Sequence, residues 1–205
     1  MNYIALSILC LIAYASARKT NRKIQSGGGN EPTVFHGEFT DYMLKVQHHC
    51  RMRHNSYRRL HGVPDLKHSD ELSNYAQAWA ERLAKTRQFR HRSKSPYGEN
   101  ISMSYNSDPN FEVDGGAPVD SWYSEIKYHN YDSDNFNPRT GHFTQVIWKN
   151  SRWLGTGVAK SPDGKVFVVS NYKPRGNIMG QFRSNCPRPK YGGGMEQNKG
   201  SGVEV

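Results

Sequence analysis

The sequence predicts an α+β domain in which several helices flank a hairpin-built sheet. Three observations predict it. In the first half of the chain apolar residues recur at spacings of three, four and seven. Beyond Trp153 the period drops to two. The two alternating runs are separated by Pro162-Asp163-Gly164, where Pro presets φ and Gly tolerates the reversal, so they form a hairpin.

Taken in order, the first helix starts near Thr40, an N-cap residue followed by Asp41. Met43, Val46, Cys50 and Tyr57 share one face, so Cys50 sits where a small buried hydrophobe is wanted. Gly62 ends the helix and Pro64 prevents its restart. Ser69 caps the second helix, Asp70 and Glu71 complement its positive end, and Leu72, Tyr75, Ala76, Trp79, Ala80 and Leu83 form a continuous core stripe. A polar loop, Arg90 to Tyr97, runs into Gly98-Glu99-Asn100. A third helix begins at Pro118, with Val119, Trp122, Tyr123 and Ile126 inward and Glu125 on or beside that side. The Asn-, Asp- and Tyr-rich stretch from Tyr128 to Arg139 is a loop. In Gly141 to Ser151, Phe143, Val146 and Ile147 mark a short helix with one buried side and His142 at its start. Leu154 to Lys160 and Val166 to Tyr172 are the two strands.

The ends differ from this body. Residues 1–17 read as a cleaved secretory signal: Ile4 to Tyr14 is nearly all apolar, and Ala15-Ser16-Ala17 supplies small residues for the peptidase, although the start carries no Lys or Arg. The apolar run is too short to cross a bilayer as a helix. Residues 18–35 are a basic, Gly- and Ser-rich flexible leader, the folded domain spans 36–185, and 186–205 is a flexible Gly-rich tail. At 35% hydrophobic, the 205-residue chain supports one core and not two. The net charge is +10, but half of the excess lies in the terminal segments. That distribution suits adhesion to anionic surfaces or glycans and no specific nucleic acid. With the signal removed, only Cys50 and Cys186 remain, which excludes a disulfide-stapled scaffold. Cys186 is left to pair with Cys50, to join two chains as a dimer, or to stay free.

Four residues make a candidate constellation: His91, Glu99, Glu125 and His142. Neutral imidazole is a common metal ligand, and carboxylates orient or complete such sites. Catalytic zinc centres use three protein ligands and keep one position open, so two histidines bind more weakly unless a Glu joins them. The Asn100-Ile101-Ser102 glycosylation pattern overlaps this motif and is expected to stay unmodified. Gly155-Thr156-Gly157 lacks the third glycine and following helix of a dinucleotide loop, and no Gly-x-Ser-x-Gly elbow occurs. His54 reads as structural, packed or hydrogen-bonded within the first helix.

Five ordered motifs carry a family resemblance: His54 to Arg58 with His61-Gly62-Val63-Pro64, Gly98-Glu99-Asn100, Trp122-Tyr123-Ser124-Glu125, His142 to Ser151, and Val168 to Ile178. They resemble the CAP superfamily, also called the SCP domain: cysteine-rich secretory proteins, the allergen antigen 5 of insect venoms, and plant pathogenesis-related proteins of class one. The resemblance implies a three-layer α-β-α sandwich with a central, mainly antiparallel sheet and an open cleft. It maps His91 and His142 onto cleft histidines that hold a divalent cation, often zinc, in several members, with Glu99 and Glu125 as acidic partners. It also implies sterol, lipid or other amphiphile binding, tied in some relatives to the region Trp122 to Tyr131. Ser170 replaces a cysteine common in secreted members, and the few-cysteine pattern is closer to the Golgi-associated branch. The expected function is a secreted, extracellular ligand-binding module in signalling, defence or reproduction. Two alternatives stand beside it: a metal-assisted hydrolase using the same four residues, with Glu99 or Glu125 as general base, and a charged secreted effector whose cleft is vestigial.

Overall fold

The computed structural model describes residues 31–190. The expected signal, most of the leader and most of the tail lie outside the described residues. The elements in order are α1 (Asp41–Leu60), β1 (Lys67–His68), α2 (Asp70–Thr86), β2 (Gly98–Tyr105), α3 (Gly116–Tyr123), 3-10 turns at Ser124–Tyr128 and Pro138–Thr140, α4 (Gly141–Ile147), β3 (Trp153–Lys160), β4 (Lys165–Lys173) and α5 (Phe182–Asn185).

The two long helices begin where their sequences say. The Thr40 hydroxyl accepts from the Met43 amide, and the Ser69 hydroxyl from the Leu72 amide. Gly62 closes α1 at φ +64°, the left-handed geometry that suits glycine at a helix end. The third helix starts two residues before Pro118, which sits in the first turn where its missing N–H costs nothing.

The sheet has strand order β1-β3-β4-β2; β1 runs parallel to β3, and the other pairs are antiparallel. Alternation along the strands divides the core into two layers. Phe167, Val169 and Ile101 face α2 and meet Ala76, Trp79, Ala80 and Leu83. Val158, Val166 and Val168 face the other way, into Val46, Cys50, Trp122, Phe143 and Ile147 from α1, α3 and α4. The architecture is therefore a helix–sheet–helix sandwich of the α+β class. Gly155 and Gly157 let α2 lie directly on β3. A Cβ on Gly155 would come within 2.1 Å of the Leu72 carbonyl carbon and the Ser73 nitrogen, and one on Gly157 within 2.4 Å of the Gln77 backbone.

The sequence reading placed Gly98-Glu99-Asn100 in a loop, whereas they open β2. This edge strand pairs with β4 from Gly98↔Tyr172 to Tyr105↔Lys165. Its polar composition gives little local strand signal, and pairing with a strongly apolar neighbour imposes the conformation. The body also extends past positions 36 and 185. Glu31 and Pro32 bond to the loop after α2, the Pro187 carbonyl accepts from His61 Nδ1 at 2.6 Å, and the Lys190 amide donates to the Leu60 carbonyl at 2.7 Å.

Candidate functional site

The four predicted residues form two histidine–carboxylate pairs. His91 lies on the irregular stretch between α2 and β2, and its Nδ1 is 2.9 Å from Glu99 Oε1 at the start of β2. The same oxygen accepts from the Arg92 amide at 3.0 Å. Glu99 Oε2 lies 3.4 Å from Asn171 Nδ2 on the neighbouring strand. His142 lies in the first turn of α4, with Nδ1 2.8 Å from Glu125 Oε1. Glu125 Oε2 accepts from the amides of His142 and Phe143 at 3.0 and 3.1 Å. One carboxylate thus caps the helix and orients the imidazole it carries. Glu125 sits in the 3-10 turn that follows α3, and Glu99 in a strand, so the supports are a loop, a strand, a turn and a helix.

Asn100, next to Glu99 in β2, ties the pairs together by donating to the His142 carbonyl at 3.1 Å. Asn100 is 1% exposed, which leaves no room for a glycan. The Trp122 ring lies nearly parallel to the His142 ring, 6.2 Å between centroids.

The carboxylates occupy the Nδ1 side of both rings. A carboxylate accepts, so Nδ1 donates to it, and in a neutral ring of this tautomer Nε2 is the nitrogen that bears the lone pair. Neither Nε2 has a hydrogen-bond partner among the described residues. A ring whose Nδ1 is fixed by an acid has Nε2 as the nitrogen that could serve a ligand. Among the described residues no group of three or more His, Cys, Asp or Glu side chains is placed to hold a metal ion. A separate groove of about 610 Å³ lies along α1, lined by His49, Met52, Arg53, Tyr57 and Asp114 among others, and shares no residue with the two pairs.

Buried polar residues behind the pairs hold the elements in place. Arg58, quoted above only as part of a motif, is fully buried. Its Nε donates to the Pro64 carbonyl at 2.7 Å, Nη1 to Val146 and Trp148 at 2.9 and 3.0 Å, and Nη2 to Ser151 at 3.0 Å. Two of those carbonyls belong to the last turn of α4 and the residue after it, so Arg58 satisfies the far end of the helix that carries His142. Burial lowers its guanidinium pKa to about 10, which leaves it charged at neutral pH. His54 is the structural residue expected. Its Nδ1 donates to the Cys50 carbonyl at 2.8 Å, leaving Nε2 to accept from the Tyr172 hydroxyl at 2.7 Å, and burial lowers its pKa to about 3. Gln145 accepts from the Gly176 amide at 2.9 Å, and Asn177 donates to the Gly141 carbonyl at 2.8 Å, pinning α4 to the segment after β4.

Cys50 and Cys186 are both buried free thiols. Burial raises the Cys50 pKa to about 11 and that of Cys186 further, so neither is a nucleophile at neutral pH. Cys50 Sγ lies 3.4 Å from Ser170 Oγ.

The model of the CAP, or cysteine-rich secretory protein, family matches residues 52–172. The chain belongs to the CAP family. It is 41% identical over 142 residues to human Golgi-associated plant pathogenesis-related protein 1, covering 67% of this chain and 89% of that one. It is 34% identical over 128 residues to Arabidopsis thaliana pathogenesis-related protein 1, covering 62% and 76%. Against the Candida albicans protein Repressed by EFG1 protein 1 identity is 36%, covering 70% of this CAP chain and 48% of the relative, so the chain spans about half of that protein. Among solved structures, BmVAL-1 superposes with a TM-score of 0.58 at 23% identity over 70% of this chain and 82% of its own. The structure of NaASP2 with Zn2+ gives 0.54 at 23% identity over 70% and 87%. Both share the CAP fold.

Proposed function

We propose that this CAP domain is a secreted, extracellular ligand-binding module that holds a divalent cation, zinc by preference, through Nε2 of His91 and His142. The observation that carries the reading is the pair of imidazoles whose Nδ1 atoms are each committed to a carboxylate, at 2.9 Å for Glu99 and 2.8 Å for Glu125. That arrangement fixes the tautomer and raises ligand basicity. The fold-mate NaASP2, described with Zn2+, supports the choice of ion. Two protein nitrogens leave coordination positions for water or for an oxygen of a ligand. Secretion is supported by the signal-like residues 1–17 and by relatives such as the Candida albicans protein named Secreted protein RBT4.

The ligand class we propose is an amphiphile. Beside the first turn of α4 stand the exposed side chains of Phe136, Ile178 and Met179, with Phe136 3.1 Å from where a Cβ on Gly141 would be. An apolar lip next to a polar, metal-capable centre matches a molecule with a head and a tail. Binding is favoured over hydrolysis because the carboxylate oxygens are already engaged: Glu125 takes three N–H groups, and Glu99 Oε1 takes two. A general base needs a free lone pair facing water. Calorimetric titration of zinc into wild type and His91→Ala/His142→Ala tests the reading. Binding lost in the double variant supports it, and equal binding overturns it.

A further inference from the structure

The loop that carries His91 has no helix or strand of its own between Arg87 and Tyr97. Its geometry must come from outside. One support is Glu99, already described. The other comes from the chain just ahead of the domain. Glu31 Oε1 accepts from Arg90 Nη1 at 2.7 Å, and Glu31 Oε2 accepts from the Ser93 amide at 2.9 Å. The Pro32 carbonyl accepts from Arg92 Nη1 at 2.6 Å. Arg92 is itself buried, donates through Nη2 to the Tyr75 carbonyl at 2.6 Å, and lays its guanidinium 3.6 Å from the Tyr75 ring centroid. Arg90, Arg92 and Ser93, the residues around His91, are thus all fastened to a two-residue segment about sixty positions earlier.

We infer that Glu31 and Pro32 are a positioning strap for the His91 half of the cleft, so that the junction between leader and domain sets how tightly that half holds its ligand. The inference rests on the metal reading above for its functional consequence. Its structural part stands on the hydrogen bonds alone. The His91 side chain is 58% exposed while Glu99 is 5% exposed, so the ring borrows its order from the backbone that carries it. Releasing that backbone returns conformational freedom which binding must then remove. All three contacts involve an ionised group on at least one side, which makes them the stronger kind of hydrogen bond. Glu31→Gln keeps an acceptor for the Ser93 amide but loses the charge opposite Arg90, so it falls between wild type and Glu31→Ala.

The test compares wild type, Glu31→Gln, Glu31→Ala and a control, Glu38→Ala, which removes the same charge from a nearby exposed position. In metal-free protein, amide hydrogen exchange of a peptide covering 88–97 is expected to quicken by about tenfold in Glu31→Ala, while 141–147 is unchanged. Zinc affinity by calorimetry is expected to weaken by about three- to tenfold in Glu31→Ala, at or below the low end of the loss for a residue that touches a ligand directly. Glu38→Ala matches wild type in both. Unchanged exchange at 88–97 overturns the strap. Faster exchange with unaltered zinc affinity overturns its role in the site. If wild type itself takes up no zinc, the metal reading falls, and the exchange difference between Glu31→Ala and Glu38→Ala alone decides whether the strap orders the loop.

Discussion

Replacing Arg58 by Met keeps an unbranched stem and removes every donor. The buried carbonyls of Val146, Trp148 and Ser151 and the more exposed one of Pro64 then lose a donor; the Ser151 amide still reaches Trp148 and Arg152 Nη1 still reaches Ser151, so Val146 is the one left orphaned in the interior. An acceptor left unsatisfied in the interior costs roughly 1–3 kcal/mol. One orphaned acceptor and two weakened ones give about 3 kcal/mol. Against this stands relief from burying a cation whose partners are all neutral, a term that makes some apolar replacements of buried charges stabilising. Burial has lowered the guanidinium pKa to about 10 without neutralising the group, so this relief offsets a substantial part of the loss. The net expectation is a loss of about 1.5 kcal/mol, a sizeable part of a typical domain stability of about 5–15 kcal/mol. Arg58→Lys retains a charge but concentrates its donors at one point, so it recovers about half. Urea unfolding followed by tryptophan fluorescence reads the effect, because Trp148 is buried against Phe182 at 5.2 Å between centroids. An Arg58→Met variant within about 0.5 kcal/mol of wild type at unchanged m would refute the carbonyl argument and favour the desolvation one.

Other consequences are independent of that residue. His54 has a folded pKa near 3 against about 6.5 unfolded, so the unfolded chain binds the extra proton between those values and stability falls as pH falls. Two units below 6.5, at 1.36 kcal/mol per unit, the loss at pH 4.5 relative to pH 7.5 is about 3 kcal/mol, and His54→Leu should flatten that slope in urea titrations. Gly155→Ala forces a Cβ to 2.1 Å from α2 backbone and is expected to lower stability by about 3 kcal/mol, read as a fall in Tm. In a chain starting at Arg18, a thiol reagent at pH 8 should label neither cysteine natively and both in denaturant; rapid native labelling of Cys186 would contradict its burial and reopen the disulfide-linked dimer.

Much of this fold is legible in the sequence where local signals agree with tertiary demand. The helix of Asp70–Thr86 has a cap, an acidic first turn and an unbroken apolar stripe, and each survives in the structure. The β3–β4 hairpin is equally plain, since alternation and turn chemistry coincide. β2 gives no strand signal because only Gly98, Asn100 and Ile101 of its eight residues are buried, while Met103 and Tyr105 are exposed, so its apolar side chains do not mark the buried face. The site divides in the same way. His142 at a helix start follows from the pattern Gly141 to Ile147, and residue type alone groups it with Glu125, but which acid it pairs with across seventeen positions is set by the tertiary fold. Arg58 was missed because a cation on a helix reads as a solvated face. Its spacing of four from His54, Cys50 and Val46 was the available signal, since all four are buried on one stripe. Nothing in a Glu-Pro step inside a Gly-rich, basic leader marks it as a support for position 91.

The central claim is that two imidazoles, each held from behind by an acid, present Nε2 to one metal ion. X-ray absorption fine structure at the zinc edge of the loaded protein tests it most directly. The expected first shell holds two imidazole nitrogens at about 2.0–2.1 Å with oxygen filling the rest, and one imidazole is lost in His142→Ala and the other in His91→Ala. A shell of oxygens alone, or imidazole scattering untouched by either substitution, would contradict it.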